Sequence, residues 1–133
     1  MIRGIYGFNI AVNDLPKATS LFESLFGVKG KPLGPAAFAF SGIDGMEFMV
    51  QGLVVNVLTS SDPNSPVYKF LQNRGEGFLL LSLRTDEIES DVEKLKNKGL
   101  KPVMDKVAVG DFGKVMFFHP KSVFGVQLEV IQP

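Results

Sequence analysis

Few side chains in this sequence can do chemistry, and most of them fall in apolar runs that alternate in the manner of strands. The chain has no cysteine and a single histidine, His119. Thiolate catalysis, disulfides and cysteine-ligated zinc are therefore excluded. What remains is a small set of neutral polar groups and one carboxylate set among apolar residues: Asn9, Asn56, Ser82, Gln127 and Glu129. A carboxylate held in apolar surroundings has a raised pKa and suits a general base near neutrality. Amide and hydroxyl groups donate hydrogen bonds to an oxyanion or a ligand carbonyl. Proton transfer by Glu129, or polar recognition of a small molecule, is the chemistry such a set supports. His119 precedes Pro120 and reads as a loop-ordering residue. Lys121 reads either as a solvated lysine or as a contact to an anionic ligand group.

The elements that position these residues follow from periodicity. Ile5 to Val12 is an apolar run of strand character, followed by Asn13 and Asp14 as helix caps and by Pro16 in a first helical turn. Ala18, Phe22, Leu25 and Phe26 recur at helical spacing, and Gly27 stops the helix. Residues 34–60 fit about three strands, the last at Leu53 to Leu58. Ser65 and Pro66 open a short helix with Val67, Phe70 and Leu71 on its apolar face, ending at Gly75. A second round then begins: a strand from Phe78 to Leu83, a capping box of Asp86 and Glu89, and a helix buried through Ile88, Val92 and Leu95 up to Gly99. Strands follow at about 101–108, Lys114 to Phe118 and Val126 to Ile131.

The two rounds match in order and polarity. Gly7 and Leu80 hold equivalent places in the opening strands, and Asn56 and Glu129 do so in the closing strands, at the same separation in sequence. The fold class expected is α+β, two βαβββ modules forming a cup-shaped mixed sheet in a single domain of residues 1–133. Module 1 covers about 1–60, a connecting helix about 65–75, and module 2 about 77–133.

Strands alternate their faces. The columns Val126, Leu128, Val130 and Leu53, Val55, Val57 are expected to pack under helices. So are Phe8, Ile10, Val12 and Leu79, Leu81, Leu83. The opposite columns carry Asn9, Asn56, Leu80, Ser82, Gln127 and Glu129. They are either a ligand-binding concave surface, mostly apolar with a few placed polar groups, or the solvated face of an antiparallel sheet. Glu129 either lines that surface or pairs with Arg84, the next residue of the Ser82 column.

Lys plus Arg and Asp plus Glu both total 14, so no net charge draws the chain to nucleic acid or to an anionic membrane. The opening MIRGIYGFNI lacks the long apolar stretch of a signal peptide, and no run approaches a membrane span. A cytoplasmic protein with a small-molecule ligand is expected. Twelve Phe stand beside two Tyr and no Trp, enough rings to supply both a core and an apolar cavity lining.

Three stretches carry a family resemblance. The run NSPVYKFLQNRGEGF (Asn64–Phe78), the stretch VMFFHPKSVFGVQLEV (Val115–Val130) and the opening IYGFNIAVNDL together resemble the methylmalonyl-CoA epimerase branch of the vicinal oxygen chelate superfamily. That superfamily also holds glyoxalase I and the bleomycin-resistance proteins. The resemblance implies the doubled βαβββ fold and a homodimer. It also implies a divalent metal held by two His, a Gln or Glu, and a Glu, at positions matching Gly7, Leu80, Asn56 and Glu129 here. A second family carboxylate falls near Ala39 and Phe40, with Glu47 as a displaced substitute. Gly7 and Leu80 have no donor atom, and a divalent cation needs several N or O ligands. No cofactor is therefore expected and a divalent metal is not. Two functions follow. One is a metal-free module binding a small apolar or acyl-CoA-like ligand, without standard epimerase activity. The other is an isomerase, epimerase or lyase using Glu129 as general base, with Asn56, Asn9 or Ser82 as oxyanion donors.

Overall fold

The computed structural model describes residues 1–133, and its elements run twice through the same order. Strand β1 (Ile2–Ala11) leads through α1 (Leu15–Phe26) to β2 (Lys31–Leu33), β3 (Asp44–Val50) and β4 (Leu53–Thr59). Helix α2 (Pro66–Arg74) connects to β5 (Gly77–Thr85), α3 (Ile88–Asn97), β6 (Ala108–Gly110), β7 (Gly113–Phe118) and β8 (Leu128–Gln132). This is the expected βαβββ pattern, repeated. No helix is long and apolar enough to cross a membrane.

The chain divides into two compact units, one of residues Gly7–Leu79 and one of Leu80–Pro133 together with Met1–Tyr6. The first six residues thus join the second half. Ile2 packs against that half's core, Arg3 bonds Asp86 at 3.0 Å, and the Met1 ammonium pairs with the buried Asp91 carboxylate at 2.7 Å.

Within Gly7–Leu79 the strands run in the order β2-β3-β4-β1, with β4 and β1 parallel and the other neighbours antiparallel. Helix α1 forms because Asp14 caps it, accepting from the Lys17 amide at 3.0 Å, and because Pro16 fits its first turn. Gly27, at φ 68°, ends it in the left-handed conformation that glycine adopts without strain. Its Leu15, Ala18, Phe22 and Phe26 pack on Val12, Phe48, Val55 and Val57. The Phe22 and Phe26 rings stack at 5.5 Å, and both meet Phe48 edge-on. Leu25 departs from its expected place: it is 65% exposed, on the outer side of the helix.

Within the other unit the order is β5-β8-β7-β6, again with one parallel pair, β5 and β8. Ile88 and Val92 of α3 pack on Met116, Phe118, Leu128 and Val130, with Leu81, Leu83 and Leu95 beside them. The cap of α3 differs from the expected box. Asp86 is taken by Arg3 and Glu89 by Lys114, so neither side chain closes the helix end. The first helical amide is met from β8, Ile88 N donating to Gln132 Oε1 at 3.0 Å, while Thr85 Oγ1 accepts from the Glu87 amide just ahead of the helix at 2.9 Å and donates to the buried Asp91 carboxylate.

Two expected strands shorten. Residues 101–107 contribute only an isolated bridge between Pro102 and Phe118 before β6 begins at Ala108. The closing strand starts at Leu128, because Phe124 and Gly125 take positive φ of 55° and 87° in a turn that bonds Val126 N to Val123 O. Val126 is thereby held in the turn and left 38% exposed.

Candidate functional site

The parallel registers place the polar residues in matching pairs. Asn9 stands opposite Asn56 on β1 and β4, and Ser82 stands opposite Glu129 on β5 and β8. The flanking pairs repeat as well, Phe8 with Val55 and Leu81 with Leu128. The repeat therefore extends to strand register. In each unit the flanking pairs face the helix, so the polar pairs lie on the other face. That face is not a solvated one. Ala11, Val54 and Leu58 are buried there in one unit, and Leu80, Ser82 and Ile131 in the other.

The Ser82–Glu129 pair is the most developed site. Ser82 is buried, and its Oγ donates to Glu129 Oε1 at 2.6 Å. Burial pushes the Glu129 carboxyl up to about 7, against the lowering effect of the Ser82 hydrogen bond. No cation pairs with it. Arg84, the partner that its strand column suggests, is exposed and stands opposite Ile131 instead. On its other side Glu129 stands opposite Phe117 of β7 in the antiparallel register. A carboxyl so placed takes up a proton nearer neutrality than an ordinary glutamate does. Leu80 lies one residue pair along the same face, buried hydrocarbon with no donor atom. Gln127 lies just before β8, where its carbonyl accepts from the Leu81 amide at 2.9 Å.

In the unit of Gly7–Leu79, the Asn56 side chain is flanked by Asn9 on β1 and by Glu47 on β3. Asn56 Oδ1 is buried without a hydrogen-bond partner. Glu47 stands opposite Asn56 because β3 and β4 are joined by the two residues Gln51 and Gly52, both at positive φ (50° and 85°), in a tight hairpin. A two-residue connection of that kind fixes the register of the whole pair. The Gln-Gly between two apolar runs was the sequence signal that could have placed Glu47 beside Asn56. Lys31 continues the row at the edge, opposite Glu47, and is exposed.

The remaining candidates separate from these pairs. Gly7 faces Val54 on β4, and a Cβ built on it would run into the Val54 carbonyl oxygen, so the backbone admits no side chain there. Ala39 and Phe40 lie in the bend after the 3₁₀ turn Pro35–Ala37, on no strand. His119 is exposed and orders its loop: its amide donates to Lys101 O at 2.8 Å and its carbonyl accepts from Ser122 Oγ at 2.7 Å. Lys121 is exposed in the 3₁₀ turn that follows.

Comparison with known proteins gives a consistent picture. The family model for the Glyoxalase/Bleomycin resistance protein/Dioxygenase superfamily matches residues 8–118. The chain is 30% identical over 125 residues to the mitochondrial methylmalonyl-CoA epimerase of Mus musculus, covering 92% of this chain and 69% of that protein. Its fold is similar to the methylmalonyl-CoA epimerase of Mycobacterium tuberculosis, with a TM-score of 0.85 at 24% identity over 99% of this chain and 89% of that one. It is also similar to a variant Streptomyces coelicolor methylmalonyl-CoA epimerase in complex with 2-nitronate-propionyl-CoA. There the TM-score is 0.83 at 21% identity, over 99% of this chain and 98% of that one.

Proposed function

This chain belongs to the glyoxalase/bleomycin resistance protein/dioxygenase superfamily, and on that footing we propose that it binds an acyl thioester of coenzyme A without a divalent metal, through the Ser82–Glu129 pair. The observation that carries the reading is the Ser82 Oγ to Glu129 Oε1 bond of 2.6 Å, on a buried sheet face with no cation beside it. A carboxyl raised to about 7 by burial is protonated often enough to donate to a ligand carbonyl. The ligand class is taken from the coenzyme A thioester chemistry of the epimerase relatives.

Against a family-type metal stand the donors themselves. Gly7 offers none and its backbone leaves no room for one, and Leu80 is hydrocarbon. Asn56 offers a neutral carbonyl oxygen, and Glu129 already accepts from Ser82. Nowhere in the chain do three His, Cys, Asp or Glu side chains gather in a way that could hold a metal. Two oxygen donors do not offset the hydration a divalent cation gives up.

A second reading is favoured by the same raised pKa: Glu129 as a general base that removes a proton α to the thioester carbonyl. The enolate oxygen then needs a donor, and the Ser82 hydrogen is already spent on Glu129. Binding is accordingly the better supported of the two. The test is Glu129→Gln, with propionyl-CoA binding followed by calorimetry and α-proton exchange of methylmalonyl-CoA followed in deuterated water. Binding by the wild type with no exchange supports the binding module. Exchange by the wild type that is lost in the variant, with binding kept, establishes the base. Family membership also supports a homodimer, which sedimentation would test.

A further inference from the structure

Phe124 is the most exposed large apolar residue of the chain, at 104%. It also holds a left-handed backbone, φ 55°, which a bulky residue adopts only against steric resistance. Neither feature serves the fold: the ring buries nothing, and glycine would take the same conformation without strain. The turn around it is nevertheless closely tied. The Phe124 and Gly125 amides both donate to the Pro120 carbonyl, and Val126 N donates to Val123 O at 3.0 Å. Ser122 Oγ donates to His119 O at 2.7 Å and accepts from the Lys101 amide at 3.0 Å, while His119 N donates to Lys101 O at 2.8 Å. Val123 packs on the core beneath α3. The ring is thus carried into solvent on a fixed mount, an arrangement that suits stacking against a planar partner.

Two further features define that partner. Lys101 and Lys121 are exposed on the same mount, so anionic groups beside the planar ring are accommodated. The mount also runs straight into β8, and the five residues from Phe124 to Glu129 span at most about 18 Å. A ligand with its carbonyl at Ser82 and Glu129 reaches Phe124 if a long arm joins its two ends. A coenzyme A thioester has that form, with the acyl group at one end of the arm and an adenine ring with phosphates at the other.

We propose that Phe124 is the stacking platform for the adenine base of the ligand, with Lys101 and Lys121 beside it for the phosphates. The platform rests on the thioester reading above and deepens it, because it gives the nucleotide end of the ligand a site of its own.

The experiment titrates propionyl-CoA and propionyl phosphopantetheine, which lacks the adenosine end, into the wild type, Phe124→Gly and Phe124→Trp by calorimetry. Phe124→Gly should bind propionyl-CoA about tenfold more weakly than the wild type, the worth of one base stacked on a ring. It should bind the phosphopantetheine ester as the wild type does, and Phe124→Trp should keep the affinity for propionyl-CoA. The thermal midpoint of ligand-free Phe124→Gly should hold or rise, since no buried contact is lost and the positive φ is relieved. Unchanged affinity of Phe124→Gly for propionyl-CoA overturns the platform while leaving the thioester reading intact. So does an equal loss with both esters, which would mean that the turn acts on the acyl end. A Phe124→Gly protein that sediments as a smaller species also overturns it, the ring then being covered by a second copy of the chain. If the wild type binds neither ester, the thioester reading itself fails and the platform fails with it.

Discussion

Replacing Glu129 by Gln should change how stability depends on pH far more than it changes stability at low pH. The folded protein binds a proton at Glu129 more tightly than the unfolded chain does, with the pKa raised from 4.5 to about 7 by burial. The stability this contributes is fully present below pH 4.5 and is lost as pH rises through 7. A tenfold change in proton affinity is worth about 1.4 kcal/mol, so the difference between the two limits amounts to about 3 kcal/mol. Gln keeps an acceptor for the Ser82 hydroxyl and does not titrate. The other carboxylates titrate alike in both proteins and cancel in the comparison. Urea unfolding followed by circular dichroism at pH 5, 6, 7 and 8 should therefore show the smallest gap at pH 5, where less than about 1 kcal/mol of this contribution has been lost. By pH 8 the variant should lead by about 3 kcal/mol, less whatever water reaches the carboxyl. A stability difference that stays constant across the series would mean that Glu129 ionises at its ordinary pKa, and that burial does not govern its charge.

Ser82→Ala removes the one bond that lowers the Glu129 pKa, so carbon-13 detected titration of the Glu129 carboxyl should show its midpoint moving above that of the wild type. Thr85→Val should destabilise by about 1–2 kcal/mol, since it strips the acceptor of the Glu87 amide and a partner of buried Asp91. Asp86→Ala, at the site where a sequence-based cap would sit, should leave the urea midpoint nearly unmoved, because its partner Arg3 is an exposed side chain. Gly7→Ala should cost about 3 kcal/mol or fail to fold, as the added Cβ meets the Val54 carbonyl. Unfolding midpoints of the purified variants check these last three.

The doubled fold was legible because two signals agreed: helical spacing in Ala18, Phe22 and Phe26 and in Ile88, Val92 and Leu95, and equal separations between the halves. Both survive in the structure, the second down to the pairing of Asn9 with Asn56 and of Ser82 with Glu129. Within the strands that form, alternation also assigned the faces, since it depends only on the pleat. What was not legible depended on contacts between residues far apart in sequence. Asp86 has the type and spacing of a cap, yet Arg3 from the other end of the chain takes its carboxylate, and Gln132 of β8 receives the first helical amide instead. Arg84 shares a column with Ser82, but Glu129 bonds the serine directly across the parallel pair. Val126 continues the alternation of β8 on paper, whereas the positive φ at Phe124 and Gly125 turns the chain before the ladder starts. At Gly7 the sequence shows only a missing ligand; that the backbone has closed onto Val54 at that point is a fact of packing.

If acyl thioester binding needs Glu129 and Ser82 and no divalent metal, calorimetry can separate the two requirements. Propionyl-CoA would be titrated into protein treated with a strong chelator, and again after addition of one equivalent of cobalt or manganese. The affinity should be the same in both titrations and should fall markedly in Glu129→Ala. Binding that appears only once the metal is restored would contradict the metal-free site.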